Sequence, residues 1–105
     1  MTETEFNAKV ESILLSIERS LEATDADIDF ESTGGLLEMG FADGSKIVVS
    51  RQTPNREIWV AARSGGFHFA WRDGVWRGTR DGRELFVVLS ECASQQAGEA
   101  VTIAD

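Results

Sequence analysis

The sequence predicts an α+β fold: a two-layer sandwich, with an N-terminal and a C-terminal helix packed on one face of a six-stranded, mainly antiparallel sheet. Three observations carry this. Apolar residues recur at helical spacing from Phe6 to Leu21 and again from Leu85 to Ala93. Between those stretches the apolar period falls to two, the repeat of a half-buried strand. Asp43-Gly44 and Asp73-Gly74 punctuate the strands with tight-hairpin signals, and such connections join antiparallel neighbours.

The first helix begins at Thr2 and Glu5, a T-x-x-E capping box that satisfies two backbone donors. Phe6, Val10, Ile13, Leu14, Ile17 and Leu21 then form one stripe, an arc of roughly 100° at ~100° per residue. Glu11, Glu18 and Glu22 project within ~40° of one another along one flank of that stripe. Lys9 and Arg19 point elsewhere.

In the first strand Ile28 and Phe30 turn inward, while Asp27, Asp29 and Glu31 turn outward. Thr33-Gly34-Gly35 is a turn, and Leu37, Met39 and Phe41 make the inward face of strand two. Ile47 and Val49 lead strand three, and Gln52-Thr53-Pro54-Asn55 is a loop. Ile58, Val60 and Ala62 alternate with Trp59 and Ala61 in strand four. Ser64-Gly65-Gly66 reads as a turn whose glycines adopt positive φ. Strand five follows, with Phe67, Phe69 and Trp71 on one face and His68 on the other, and Trp76 centres a short strand six. Trp71 and Trp76 are assigned to the core.

Asp81 with Glu84 suggests a second capping box for the last helix, and Gly98 its C-terminal stop. Leu85, Leu89, Cys92 and Gln96 share one row, flanked by Phe86 and Ala93. Residues 99–105 read as a tail. Without repeat or linker, residues 1–105 read as one domain, long enough for one core.

Charge is segregated. Residues 1–31 hold nine carboxylates and two cations, net −7, whereas residues 32–105 hold nine acids and eight bases, net −1. Such a field attracts cations or cationic partners and opposes nucleic acid and anionic membranes. No apolar run approaches the ~20 residues of a membrane span. The acidic start Met1-Thr2-Glu3-Thr4-Glu5 has the wrong sign for a signal peptide, and a lone cysteine excludes an internal disulfide. A cytoplasmic location is expected.

The metal-ligand candidates are Glu11, Glu18, Glu22, Asp25, Asp27, Asp29 and Glu31. Carboxylates suit hard cations, and exposed ones lacking His or Cys bind weakly with retained water. Asp25-Ala26-Asp27-Ile28-Asp29 resembles the start of a calcium loop, but Phe30 stands in place of the required Gly and Leu36 in place of the bidentate Glu. Trp59 falls on the open sheet face, a candidate binding anchor. His68 shares that face and is a candidate minor metal ligand. Cys92 lies on an apolar stripe with no activating base, so a buried hydrophobe is expected. No phosphate loop, nucleophile elbow or zinc spacing occurs, and no catalytic residue is assigned.

The stretch Asn55-Arg56-Glu57-Ile58-Trp59-Val60-Ala61-Ala62-Arg63-Ser64-Gly65-Gly66-Phe67-His68-Phe69, preceded by Arg51-Gln52-Thr53-Pro54, resembles the signature of the frataxin family. Thr33-Gly34-Gly35-Leu36-Leu37, Asp43-Gly44-Ser45-Lys46-Ile47 and Gln95-Gln96-Ala97-Gly98-Glu99 are similar to its bacterial branch. The resemblance implies a helix–six-strand–helix fold and a non-catalytic, iron-binding regulator of iron–sulfur cluster assembly. It implies weak Fe²⁺ and Fe³⁺ binding, open to other divalent cations, on an acidic ridge of Glu18, Glu22, Asp25, Asp27, Asp29 and Glu31. It implies docking on the cysteine desulfurase and its scaffold protein through Glu18, Glu22, Gln52 and Trp59. A monomer is expected, with iron-driven oligomers as the variant state.

The chain departs from the bacterial pattern at Arg19 and Ala23, which replace further acids, and this lowers the expected iron affinity. Ser50 and Glu57 replace amides, and Ala70 replaces an Asp. The alternative function is a ferroxidase or iron-storage oligomer. It requires a di-iron ligand set, and no Glu-x-x-His motif is present. Base stacking on Trp59 is a further reading that the net charge disfavours.

Overall fold

The computed structural model describes residues 1–105. Helix α1 runs Glu3–Ala23, and strands β1 (Ile28–Thr33), β2 (Leu36–Phe41), β3 (Lys46–Gln52), β4 (Glu57–Ala62), β5 (Gly65–Arg72) and β6 (Val75–Gly78) follow, then α2 (Leu85–Ala97). The strands lie in sequence order, each antiparallel to the next, so β1 and β6 are the two edges. Both helices cover one face. The expected α+β sandwich is the observed one.

Burial follows the alternation. Leu37, Met39, Ile47, Val49, Ile58, Val60 and Phe69 point under the helices and are sealed from solvent. They meet Phe6, Val10, Ile17 and Leu21 of α1 and Leu85, Leu89 and Ala93 of α2. Trp76 is core, T-shaped against Phe6 with ring centroids 5.9 Å apart. Trp71 is only half-buried at the core's margin, where the Lys9 ammonium sits 4.1 Å over its ring.

The Thr2–Glu5 capping box forms as expected, each side chain accepting from the other's backbone N–H. The Asp73-Gly74 turn has φ of 54° and 80°, the paired positive values of a tight hairpin that matches sheet twist.

Three expectations change. The turn before β5 is Arg63-Ser64. Gly65 and Gly66 already belong to the strand, and only Gly65 has positive φ. Asp81 does not cap α2; it accepts from the Arg83 N–H, while Glu84 is the cap, accepting from Phe86 and Val87 N–H. A carboxylate reaching its own helix start satisfies the free donors directly, so no partner three residues upstream is needed.

The third change concerns residues 99–105. They form no regular element, yet Val101 and Ile103 are buried in the core. The segment lies along both helices on serine rungs. Ser94 Oγ donates to the Val101 carbonyl and accepts from its N–H, at 3.1 and 2.9 Å. Ser90 does the same for Ile103, and Ser20 of α1 bonds both Ala104 backbone groups. Ser16 completes the set at 2.8 Å from Asp105. The hydroxyls supply the backbone partners that a sheet would otherwise provide.

Candidate metal ridge and docking face

The acidic residues occupy two rows that straddle the β1 edge. On the helix side, Glu11 and Glu18 line a shallow groove between α1 and Ser32 of β1, Gly35 of the β1–β2 turn and Arg51 of β3. Glu22 follows one turn after Glu18, exposed. The last turn of α1 carries no basic residue. Its unpaired carbonyls make that end partially negative, so Glu18 and Glu22 sit where the helix field disfavours them.

The chain then leaves the helix at Thr24, whose Oγ accepts from the Ala26 N–H at 3.2 Å. Ala26 is buried and anchors the link, leaving Asp25 and Asp27 exposed on either side. On the sheet side, Asp29 and Glu31 point away from the helices, and half-buried Ile28 and Phe30 point toward them.

The register adds one acid that the sequence reading omitted. Glu31 is opposite Glu38 on β2. Glu38 pairs with Lys46 at 2.5 Å, and its carboxylate holds the Lys46 ammonium above its ordinary value. Alternation with buried Leu37 and Met39 is the signal that places Glu38 outward.

No three His, Cys, Asp or Glu side chains gather as a ready-made ligand set. The ridge therefore fits a hard cation held by one or two carboxylates with retained water, and does not fit a closed cage. Within the sequence-derived set, Glu11, Glu18 and Glu22 share the helix flank, Asp29 and Glu31 share the sheet face, and Asp25 and Asp27 bridge the two.

The open face carries a second cluster. Ser50, Trp59 and His68 are successive register partners across β3, β4 and β5. Trp59 is half-buried, and its indole N–H donates to Glu57 at 2.8 Å. His68 stacks flat on the Trp59 ring, 4.2 Å between centroids and 8° between planes. Gln52 is half-buried beside them and donates to Ser50 Oγ at 3.3 Å. Glu57 thus orients the Trp59 ring. Cys92 is buried, 3.8 Å from Ser64 Oγ, as a core thiol.

A family model of the frataxin-like domain matches residues 1–99. The chain belongs to the frataxin family. Among curated frataxin-family relatives, the iron–sulfur cluster assembly protein CyaY of Dechloromonas aromatica is 57% identical, covering 98% of this chain and 99% of that one. The CyaY of Paraburkholderia phymatum is 52% identical over 99% of both. The frataxin of Psychromonas ingrahamii superposes with a TM-score of 0.93 at 30% identity, covering both chains in full. A trimeric yeast frataxin complexed with ferrous iron superposes with a TM-score of 0.71 at 25% identity, covering 94% of this chain and 88% of that one. The frataxin architecture and the bacterial CyaY branch are thereby assigned.

Proposed function

We propose that the chain is a non-catalytic, iron-responsive regulator of iron–sulfur cluster assembly. It binds Fe²⁺ or Fe³⁺ weakly on the ridge and docks on the cysteine desulfurase and scaffold protein in the cytoplasm. The names of the bacterial relatives support the pathway, and the ferrous complex of the yeast neighbour supports the metal. The observation that carries the reading is the pair of carboxylate rows on the β1 edge, next to the open face with its stacked Trp59.

Each part has a physical task. The uncompensated ridge steers the chain toward a basic patch on the desulfurase and fixes its orientation. Trp59 supplies apolar contact area with its polar N–H already paired. A divalent or trivalent ion on the ridge neutralises part of the same field, so iron and partner compete for the same oxygens. His68 stacks one ring face on Trp59 and keeps its in-plane ring nitrogens at the edge, where a minor ligand role would use them.

The test is an anaerobic Fe²⁺ titration followed by backbone amide NMR, together with desulfurase binding as a function of salt. Broadening confined to residues 11–31 and a steep salt dependence are expected. Changes centred on His68 would move the metal to the sheet. Oxygen consumption well above the buffer rate would favour the oxidase alternative.

A further inference from the structure

Leu15 is the one large apolar side chain of α1 that faces solvent, at 47% exposure. It is not isolated. It lies in a groove of about 410 Å³ between α1 and the sheet that Leu14, Ser12 and Ser32 also line. Glu11, one turn before it, and Glu18, one turn after it, line the same groove. Neither carboxylate has an ion-pair partner. The only cation on the wall, Arg51, is tied back to Asn7 Oδ1 at 2.7 Å and packs against Gly35, where even a Cβ would collide with it.

We infer that the Leu14–Leu15 patch of this otherwise polar groove is the apolar anchor point of ridge docking: it takes an aliphatic side chain of the desulfurase, flanked by two basic residues that meet Glu11 and Glu18. The inference rests on the proposed docking of the ridge and specifies its chemistry. Seven helical residues place Glu11 and Glu18 about 10 Å apart, so the partner's cations need that spacing. Three residues of extended chain or seven of helix provide it.

The two components act on different rates. The groove's two carboxylates govern encounter, and the aliphatic contact governs residence, because burial of Leu15 exists only in the docked complex. Covering the exposed half of a leucine corresponds to about a fivefold to tenfold change in Kd.

The experiment measures association and dissociation of the full chain with purified desulfurase at low and high salt. Leu15→Asn is expected to raise the dissociation rate about fivefold, with the association rate and the salt slope unchanged. Leu15→Met is expected to restore residence. Val87→Asn, at an exposed apolar position on α2, is expected to change nothing. Glu18→Lys is expected to slow association and flatten the salt slope. Melting temperatures check that each variant is folded. If Glu18→Lys weakens binding while Leu15→Asn stays within twofold of wild type, the groove is overturned and ridge docking stands. If the wild-type chain does not bind the desulfurase at all, ridge docking fails and the groove inference fails with it.

Discussion

His68 lies directly across the ladder from Trp59, and the two rings stack in parallel 4.2 Å apart on the solvent face of the sheet. A flat aromatic exposed alone would be free to rotate. Here the imidazole covers one ring face and Glu57 holds the indole N–H, so Trp59 is presented in one orientation. Preorganisation of this kind lowers the ordering cost on binding.

His68 therefore serves first as a platform for Trp59. His68→Phe is expected to keep the stack, the stability and partner binding. His68→Ala is expected to lose about 1 kcal/mol of stability and to weaken partner binding. Thermal melts and scaffold-complex binding check this. If His68→Phe abolishes iron-induced NMR changes, a ligand role for the imidazole replaces the platform role.

The terminal segment is a structural part of the domain. Deleting residues 99–105 exposes the core beneath Val101 and Ile103 and strips the rungs at Ser90 and Ser94. A loss of about 3 to 5 kcal/mol is expected from two aliphatic side chains alone. Urea denaturation reads it as a lower midpoint. A midpoint unchanged by the deletion would mean that the segment merely rests on the helices.

Much of this architecture is visible in the sequence because its signals are local. Ile58, Trp59 and Val60 alternate, and the alternation alone puts Trp59 on the open face. Asp73-Gly74 and Asp43-Gly44 fix their hairpins by backbone chemistry. Residues 99–105 have no period long enough to read. The remaining clue is paired serines four residues apart, Ser16 with Ser20 and Ser90 with Ser94, on otherwise apolar helix flanks. Gln96 is similar: it sits in an apolar row because its amide accepts from Arg63 N–H and donates to Ser45 and the Lys46 carbonyl. Such long-range satisfaction is invisible locally. The ridge acids and their division between a helix flank and a strand face are legible locally, but the placement of Glu38 opposite Glu31 depends on strand register.

The β2–β3 hairpin is expected to be acid-sensitive. Ser45 donates to Asp43 through its hydroxyl and its backbone N–H, and Arg63 adds a further bond, so the Asp43 carboxyl is held below its ordinary 3.8. A depressed folded value means the contribution is complete above 3.8 and is lost as pH falls through the folded value. Amide exchange in residues 41–46 is expected to accelerate there relative to the rest of the sheet. Asp43→Asn should remove that pH dependence. Equal acceleration in Asp43→Asn and wild type would assign it to another group.

The ridge acids should trade stability for function. Glu18 and Glu22 repel one another one turn apart at the negative end of α1, with no base in the last turn. Replacing both by Lys makes the interaction with the helix end favourable, while the pair itself stays like-charged. The expected gain is about 0.5 to 1.5 kcal/mol, read as a rise of a few degrees in Tm at low ionic strength, shrinking as salt is added. The same variant should lose iron-induced broadening in residues 11–31 and bind the desulfurase more weakly. Opposite signs in the two measurements mark charge retained for binding against the preference of the helix. A variant less stable than wild type in low salt would instead assign the carboxylates a structural role, and the argument from unfavourable charge would fail.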